Sequence, residues 1–164
     1  MLKKIVQDAL NEQIKAELES AYIYLAMSAY SEAVNLRGFA KWMRAQSREE
    51  VGHALKLFDY VNDRGGRVIL QAVAQPPVDY QSVLDMMEHT LRHEQKVSAL
   101  INQLYELALK ENDYPTQAHL QWFITEQVEE EKTAQEIVEQ LKMIGNHAPA
   151  LLMLDRQMGQ RSEK

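Results

Sequence analysis

The sequence has no cysteine. That single absence excludes a disulfide framework, an iron–sulfur cluster and a thiolate zinc site. Glycine and proline are scarce, six and four among 164 residues, so few positions can interrupt a helix. No window reaches the roughly 18 uninterrupted apolar residues a spanning helix needs. The opening Met1-Leu2-Lys3-Lys4-Ile5-Val6 is interrupted by Gln7, Asp8, Asn11 and Glu12 before a signal-like apolar core can form. The expectation is a cytoplasmic protein with no membrane partner. Basic side chains are outnumbered 18 to 24, a net charge of −6. That balance disfavours a nucleic-acid partner and gathers cations instead. What is present, 46% hydrophobic and 26% charged residues, is the composition of one folded domain with a sizeable core.

Because breakers are few, the segments between them must be long helices. The breaks fall at Asn35-Leu36-Arg37-Gly38, at Gly65-Gly66, at Pro76-Pro77, at Asn112-Asp113-Tyr114-Pro115 and at Gly145. They delimit helices from Leu2 to about Ser31, onward to Arg64, from an Asp79 N-cap to about Glu111, and up to Ile144. A short tail helix fits Pro149 to Met158. Two connections are only a few residues long, which pairs helix one with two and three with four as antiparallel neighbours. The connector 66–79 can reach roughly 46 Å at about 3.3 Å per residue. Helix two is roughly 40 Å long at ~1.5 Å per residue. The connector therefore spans the bundle, and helices two and three can run parallel. The predicted fold is all-α: an up-down-down-up four-helix bundle over residues 1–145 with one long crossover. Residues 146–164 add a short fifth helix and tail to the same domain.

Each helix carries an apolar stripe at alternating spacings of three and four. In every stripe a glutamate stands where an apolar residue is due. Helix one has Leu10, Glu17 and Tyr24; helix two has Phe39, Met43, Gln46, Glu50, His53 and Leu57. Helix three has Met87, Glu94, Val97 and Ile101, and helix four has Leu120, Phe123, Gln127, Glu130 and Ile137. Glu17, Glu50, Glu94 and Glu130 fall at or beside the helix midpoints, so four carboxylates and one imidazole converge at one level of the core. Burying them unpaired is costly, and they repel one another. No lysine or arginine lies in the stripes at that level. Two divalent cations would balance the charge, and an oxygen-rich set with one nitrogen suits iron or manganese. Glutamates from two helices plus a Glu-x-x-His pair on each of the other two is the known pattern of dinuclear carboxylate bundles, and Glu50 and His53 supply one such pair. Helix four departs from it, offering Gln127-x-x-Glu130.

At these residues the chain resembles the bacterial and archaeal non-haem ferritins. Further motifs carry the likeness along essentially the whole chain: Tyr22-Ile23-Tyr24-Leu25, Gly38-Phe39-Ala40-Lys41-Trp42-Met43, Glu49-Glu50-Val51-Gly52-His53-Ala54, Arg64-Gly65-Gly66-Arg67-Val68, Gln121-Trp122-Phe123 and Glu126-Gln127-Val128-Glu129-Glu130-Glu131. The resemblance implies an iron-storage ferroxidase that oxidises Fe(II) to Fe(III) with O2 or H2O2. It implies one iron held by Glu17, Glu50 and His53, a second by Glu50, Glu94 and Glu130, and Gln127 beside the second. It implies a third site at Glu49, Glu126, Glu129 and Glu130. Tyr24 becomes a hydrogen-bond partner of the centre and an electron donor, and Trp122 takes a secondary role nearby. Val51 stands where bacterioferritins place a haem-ligating methionine, so no haem is expected. His89, His93, His119 and His147 lie off the glutamate level and read as surface or packing residues. The apolar Leu151-Leu152-Met153-Leu154 of the tail helix calls for a homo-oligomeric partner, and the resemblance specifies a 24-mer shell holding ferric mineral.

Two rival readings use the same bundle. A dinuclear oxidase such as a rubrerythrin would add a cysteine-liganded module, which the sequence cannot build. A DNA-protecting mini-ferritin places its site between subunits and often bears a basic tail; here the ligands lie in one chain and Arg161-Ser162-Glu163-Lys164 is short.

Overall fold

In the computed structural model, which describes residues 1–162, the chain forms five helices: α1 (Lys4–Ala33), α2 (Arg37–Asp63), α3 (Val83–Lys110), α4 (Tyr114–Ile144) and α5 (Ala148–Met158). Among the described residues there is no strand. Glu163 and Lys164, the end of the tail named above, lie outside the described residues.

Local chemistry explains where the helices stop. Asn35, Gly65 and Asn112 all adopt left-handed backbone, with φ of 64°, 70° and 54°. Each closes its helix with a paired Schellman turn: Leu36 N–H donates to the Ser31 carbonyl and Asn35 N–H to Glu32, with equivalent pairs at Gly65-Gly66 and Asn112-Asp113. Asp113 caps α4 by accepting from Thr116 N–H. The N-cap of α3 is Ser82, not Asp79. Ser82 Oγ accepts from Asp85 N–H at 3.0 Å while Asp85 Oδ2 accepts from Gln81 N–H at 3.0 Å, a reciprocal pair that Asp79 lacks. The crossover is accordingly longer than its sequence estimate, running from Arg64 to Ser82.

Contacts fix the topology. Along α1 and α3, Ser20 meets His93, Tyr24 meets Glu94, Met27 meets Thr90 and Ser31 meets Met86, so the two run antiparallel. Along α2 and α4, Gln46 meets Glu130, His53 meets Phe123 and Tyr60 meets Thr116, again antiparallel. With α1/α2 and α3/α4 also antiparallel through Ser47–Ala21 and Gln127–Glu94, α2 and α3 run parallel across the diagonal. This is the up-down-down-up bundle. The crossover lies along α1, where the Asn11 side chain donates to the Arg67 carbonyl and accepts from Ile69 N–H, and Gln71 donates to Glu12.

The apolar interior is divided. One cluster holds Tyr24, Met27, Phe39, Met43, Met86, Met87, Ile137 and Leu141. The other holds Val6, Leu10, Ile14, Leu57, Val61, Val97, Ile101, Leu104, Leu120 and Phe123. On every helix the residue numbers between the two clusters bracket the glutamates. The polar layer is a slab between two greasy halves.

Candidate metal centre

Glu17, Glu50, His53, Glu94, Gln127 and Glu130 are all buried, as are Gln13 and Gln46 beside them. One ligand atom from each of Glu17, Glu50 and His53 lies within 4.8 Å of the others, and the same is true of His53, Glu126 and Glu130. His53 Nδ1 is 3.0 Å from Glu50 Oε2, as the three-residue spacing on one helix face dictates, and 3.9 Å from Glu17 Oε2 across the α1–α2 contact. Glu94 stands in neither group, because its carboxylate is engaged otherwise. The Tyr24 hydroxyl donates to Oε1, and Gln127 Nε2 donates to Oε2 at 3.1 Å and to the Glu94 carbonyl at 3.2 Å.

Three glutamines organise the carboxylates. Gln13 donates to Glu17 Oε1 at 2.9 Å, Gln46 to Glu130 Oε2 at 2.5 Å, and Gln127 to Glu94. Glu17 Oε2 is buried and receives no hydrogen bond. The electrostatics are those of an anion cluster awaiting counter-charge. Burial pushes Glu50 well above the usual carboxylate range, and Glu17 and Glu94 push it further. Glu94 rises to about 8, through burial and then Glu130, against the lowering bonds from Tyr24 and Gln127. Glu130 rises to about 7, chiefly through burial, with Glu49 and Glu126 adding to it and Gln46 and Arg161 opposing. Tyr24 is raised well above its ordinary value by burial and by Glu94 and Glu50.

The outer residues are less uniform. Glu49 and Glu126 are half-buried on the Glu130 side and Glu129 is exposed; of the three only Glu126 belongs to a ligand group. Trp122 is 39% exposed, its ring edge-on to His53 at 5.3 Å and covered by Lys56 Nζ at 4.1 Å. His93 is expected off the glutamate level, but as the residue before Glu94 it lies at that level on another face of α3; it packs edge-on against Tyr24 and lies 2.7 Å from Ser20 Oγ, and burial and Lys96 lower its pKa to about 4. His119 stacks on Tyr60 at 4.0 Å. His147 caps α5, accepting from Ala150 N–H.

Sequence periodicity missed Gln13 and Arg161. Gln13 sits four residues before Glu17, one helical turn, which is a findable signal. Arg161 has none: it follows α5 and reaches the centre only because α5 folds back. Its guanidinium donates to Gln46 Oε1 at 2.8 Å, lies 2.8 Å from Glu49 Oε2 and covers the Trp42 ring at 4.6 Å.

A four-helix bundle with one long crossover and a buried carboxylate–histidine layer defines the ferritin-like class. The comparisons agree: the ferritin-like domain matches residues 7–144. A bacterial non-heme ferritin of Bacteroides fragilis is 42% identical over 161 residues, covering 98% of this chain and 100% of its own. That of Staphylococcus aureus is 36% identical over 162 residues, 99% and 98% of the two chains. Among solved structures, the open pore ferritin of the hyperthermophilic archaeon Archaeoglobus fulgidus superposes with a TM-score of 0.98 at 46% identity, covering 99% of this chain and 100% of that one. The chain belongs to the ferritin family.

Proposed function

We propose that this protein stores iron, taking up Fe(II) as substrate and oxidising it at the buried centre. The observation that carries the reading is the slab itself. Four glutamates and a histidine meet between two apolar clusters, with Glu17 Oε2 lacking any donor and burial driving protons onto Glu50, Glu94 and Glu130. Cations relieve that arrangement and protons relieve it only partly. Glu17, Glu50 and His53 hold one iron; Glu50, Glu94 and Glu130 hold the other, with Gln127 at its edge. Glu49, Glu126 and Glu129, with Glu130, form an outer site.

The chemistry balances with the oxidants already named. Two Fe(II) give two electrons to O2, which with two protons becomes H2O2, or to H2O2, which with two protons becomes two waters. The chain supplies ligands, proton acceptors and exclusion of water. Tyr24, bonded to Glu94, is placed to give a further electron through its phenol while Glu94 takes the proton. The family membership supports a homo-oligomeric cage, and we extend it to a 24-mer whose cavity receives Fe(III). Among the described residues no helix is long and apolar enough to cross a membrane; the storage role we propose is a cytoplasmic one. Residues 1–145 and 146–164 act as one domain, a reading supported by α5 packing against α2 and α4.

Anaerobic titration of the intact protein with Fe(II) tests the proposal. Saturation at two or three ions per chain before mineral forms is expected. Uptake near zero would sink it.

A further inference from the structure

The stripes carry no cation, yet the centre has one within reach. Arg161 arrives from beyond α5. Its Nη1 donates to Gln46 Oε1 at 2.8 Å and to the Trp42 carbonyl at 3.4 Å, and its Nη2 lies 2.8 Å from Glu49 Oε2. Gln46 in turn donates to Glu130 at 2.5 Å. The guanidinium therefore connects to a centre carboxylate through one amide and neutralises a second carboxylate directly.

Two features make this link displaceable. Neither Glu49 oxygen, though buried, receives a hydrogen bond of good direction, so charge alone holds the pair. The arginine itself lies past the helix: α5 ends at Met158, and Gly159 runs so near Gly38 that a Cβ on it would lie 3.2 Å from the Gly38 Cα. A divalent cation would offer Glu49, Glu126 and Glu130 twice the charge at shorter range.

We propose that Arg161 is a tethered counter-cation, which competes with an incoming divalent metal ion for the Glu49–Glu126–Glu130 side of the centre. This rests on the iron reading above. In the metal-free protein Arg161 fills the charge deficit and steadies Gln46 against Glu130. When a metal ion enters, the guanidinium withdraws, and the segment after Met158 loosens from α2. Arg161 thus weakens the outer site relative to the inner two, favouring onward passage of the ion over its retention.

Calorimetric titration with Zn(II), which is redox-inert, tests this on the assembled wild-type, Arg161→Ala and Arg161→Gln proteins. The two tight equivalents should be unchanged, while the weakest class tightens at least about tenfold in both variants. Arg161→Lys, retaining the charge, should stay near wild type. In the wild type, amide exchange at residues 160–162 should quicken as the weakest class fills. An unchanged or weakened outer class in Arg161→Gln, or tail exchange indifferent to Zn(II), would overturn the proposal, and Arg161→Gln decides if the alanine variant fails to assemble. Two equivalents in both wild type and Arg161→Gln would also overturn it while leaving the iron reading intact. No uptake in the wild type would instead refute the iron reading.

Discussion

Glu50 faces carboxylates from three other helices, and its neighbours decide how it titrates. Burial and then Glu17 and Glu94 raise its proton affinity, while Glu94 reaches about 8 and Glu130 about 7 from an ordinary 4.5. Between those limits the folded, metal-free chain binds more protons than the unfolded one. Its stability should be greatest below about pH 4.5 as regards these groups, and decline as pH rises through 7 to 8. Melting metal-stripped protein across that range checks the sign; saturating Zn(II) should remove the slope, because bound metal displaces the protons. Stability rising with pH over the same window would contradict the shifts. Glu130→Ala should slow fast Fe(II) oxidation by at least about tenfold in stopped-flow absorbance, with particle size retained. Wild-type kinetics would remove Glu130 from the second iron.

The helices are held in register by their ends as much as by their stripes. Arg64, at the end of α2, donates to Asp113 Oδ1 at 2.9 Å, to the Tyr60 hydroxyl at 2.5 Å and to Thr116 Oγ1 at 3.3 Å. Asp113 also caps α4, so one carboxylate ties α2 to α4. Burial alone would raise its pKa, but the Arg64 and Thr116 bonds hold it below the ordinary value. Asp113→Ala should destabilise by about 2–3 kcal/mol, from a lost cap and an unpaired guanidinium, read as a lower thermal midpoint. At the other end, a Cβ on Gly38 would lie 1.6 Å from the Asp155 carbonyl oxygen, and Phe39 N–H donates to Asp155 Oδ1 at 2.9 Å. Gly38→Ala should therefore undock α5, exposing 148–158 to limited proteolysis while α1 to α4 stay resistant. Equal protease resistance would show that the backbones can separate without loss.

The same fifth helix is the surface we propose for assembly. Leu152 is 53% exposed, Met153 72% and neighbouring Met143 80%. Apolar side chains this close together on one end of a chain point to burial by other copies. The intact protein is expected to elute as a particle of 24 × 18.9 kDa. Met153→Asp should shift it to smaller species on gel filtration, with helical content unchanged. Assembly undisturbed by that charge would place the contacts elsewhere.

Much of the fold and of the centre is legible in the sequence. The breaks at Asn35, Gly65 and Asn112 were legible because left-handed backbone favours Gly and Asn. The glutamate layer was legible because a helix returns to the same face every seven residues, so a carboxylate in an apolar stripe has nowhere else to point. Midpoint matching then put all four at one height, and the two separate apolar clusters bear that out. The start of α3 was misplaced because Ser82 and Asp79 are both competent caps in one dimension. Periodicity also could not tell that Glu94 is turned toward Tyr24 and Gln127, since it gives a residue's face but not its partner. Arg161 was the furthest from reach. No spacing rule links position 161 to positions 46 and 49; the docking of α5 on α2, through Gly38, Asp155 and Gly159, brings that charge to the centre. Local periodicity sets which residues face inward, whereas contacts between segments distant in the chain exist only once the chain has folded.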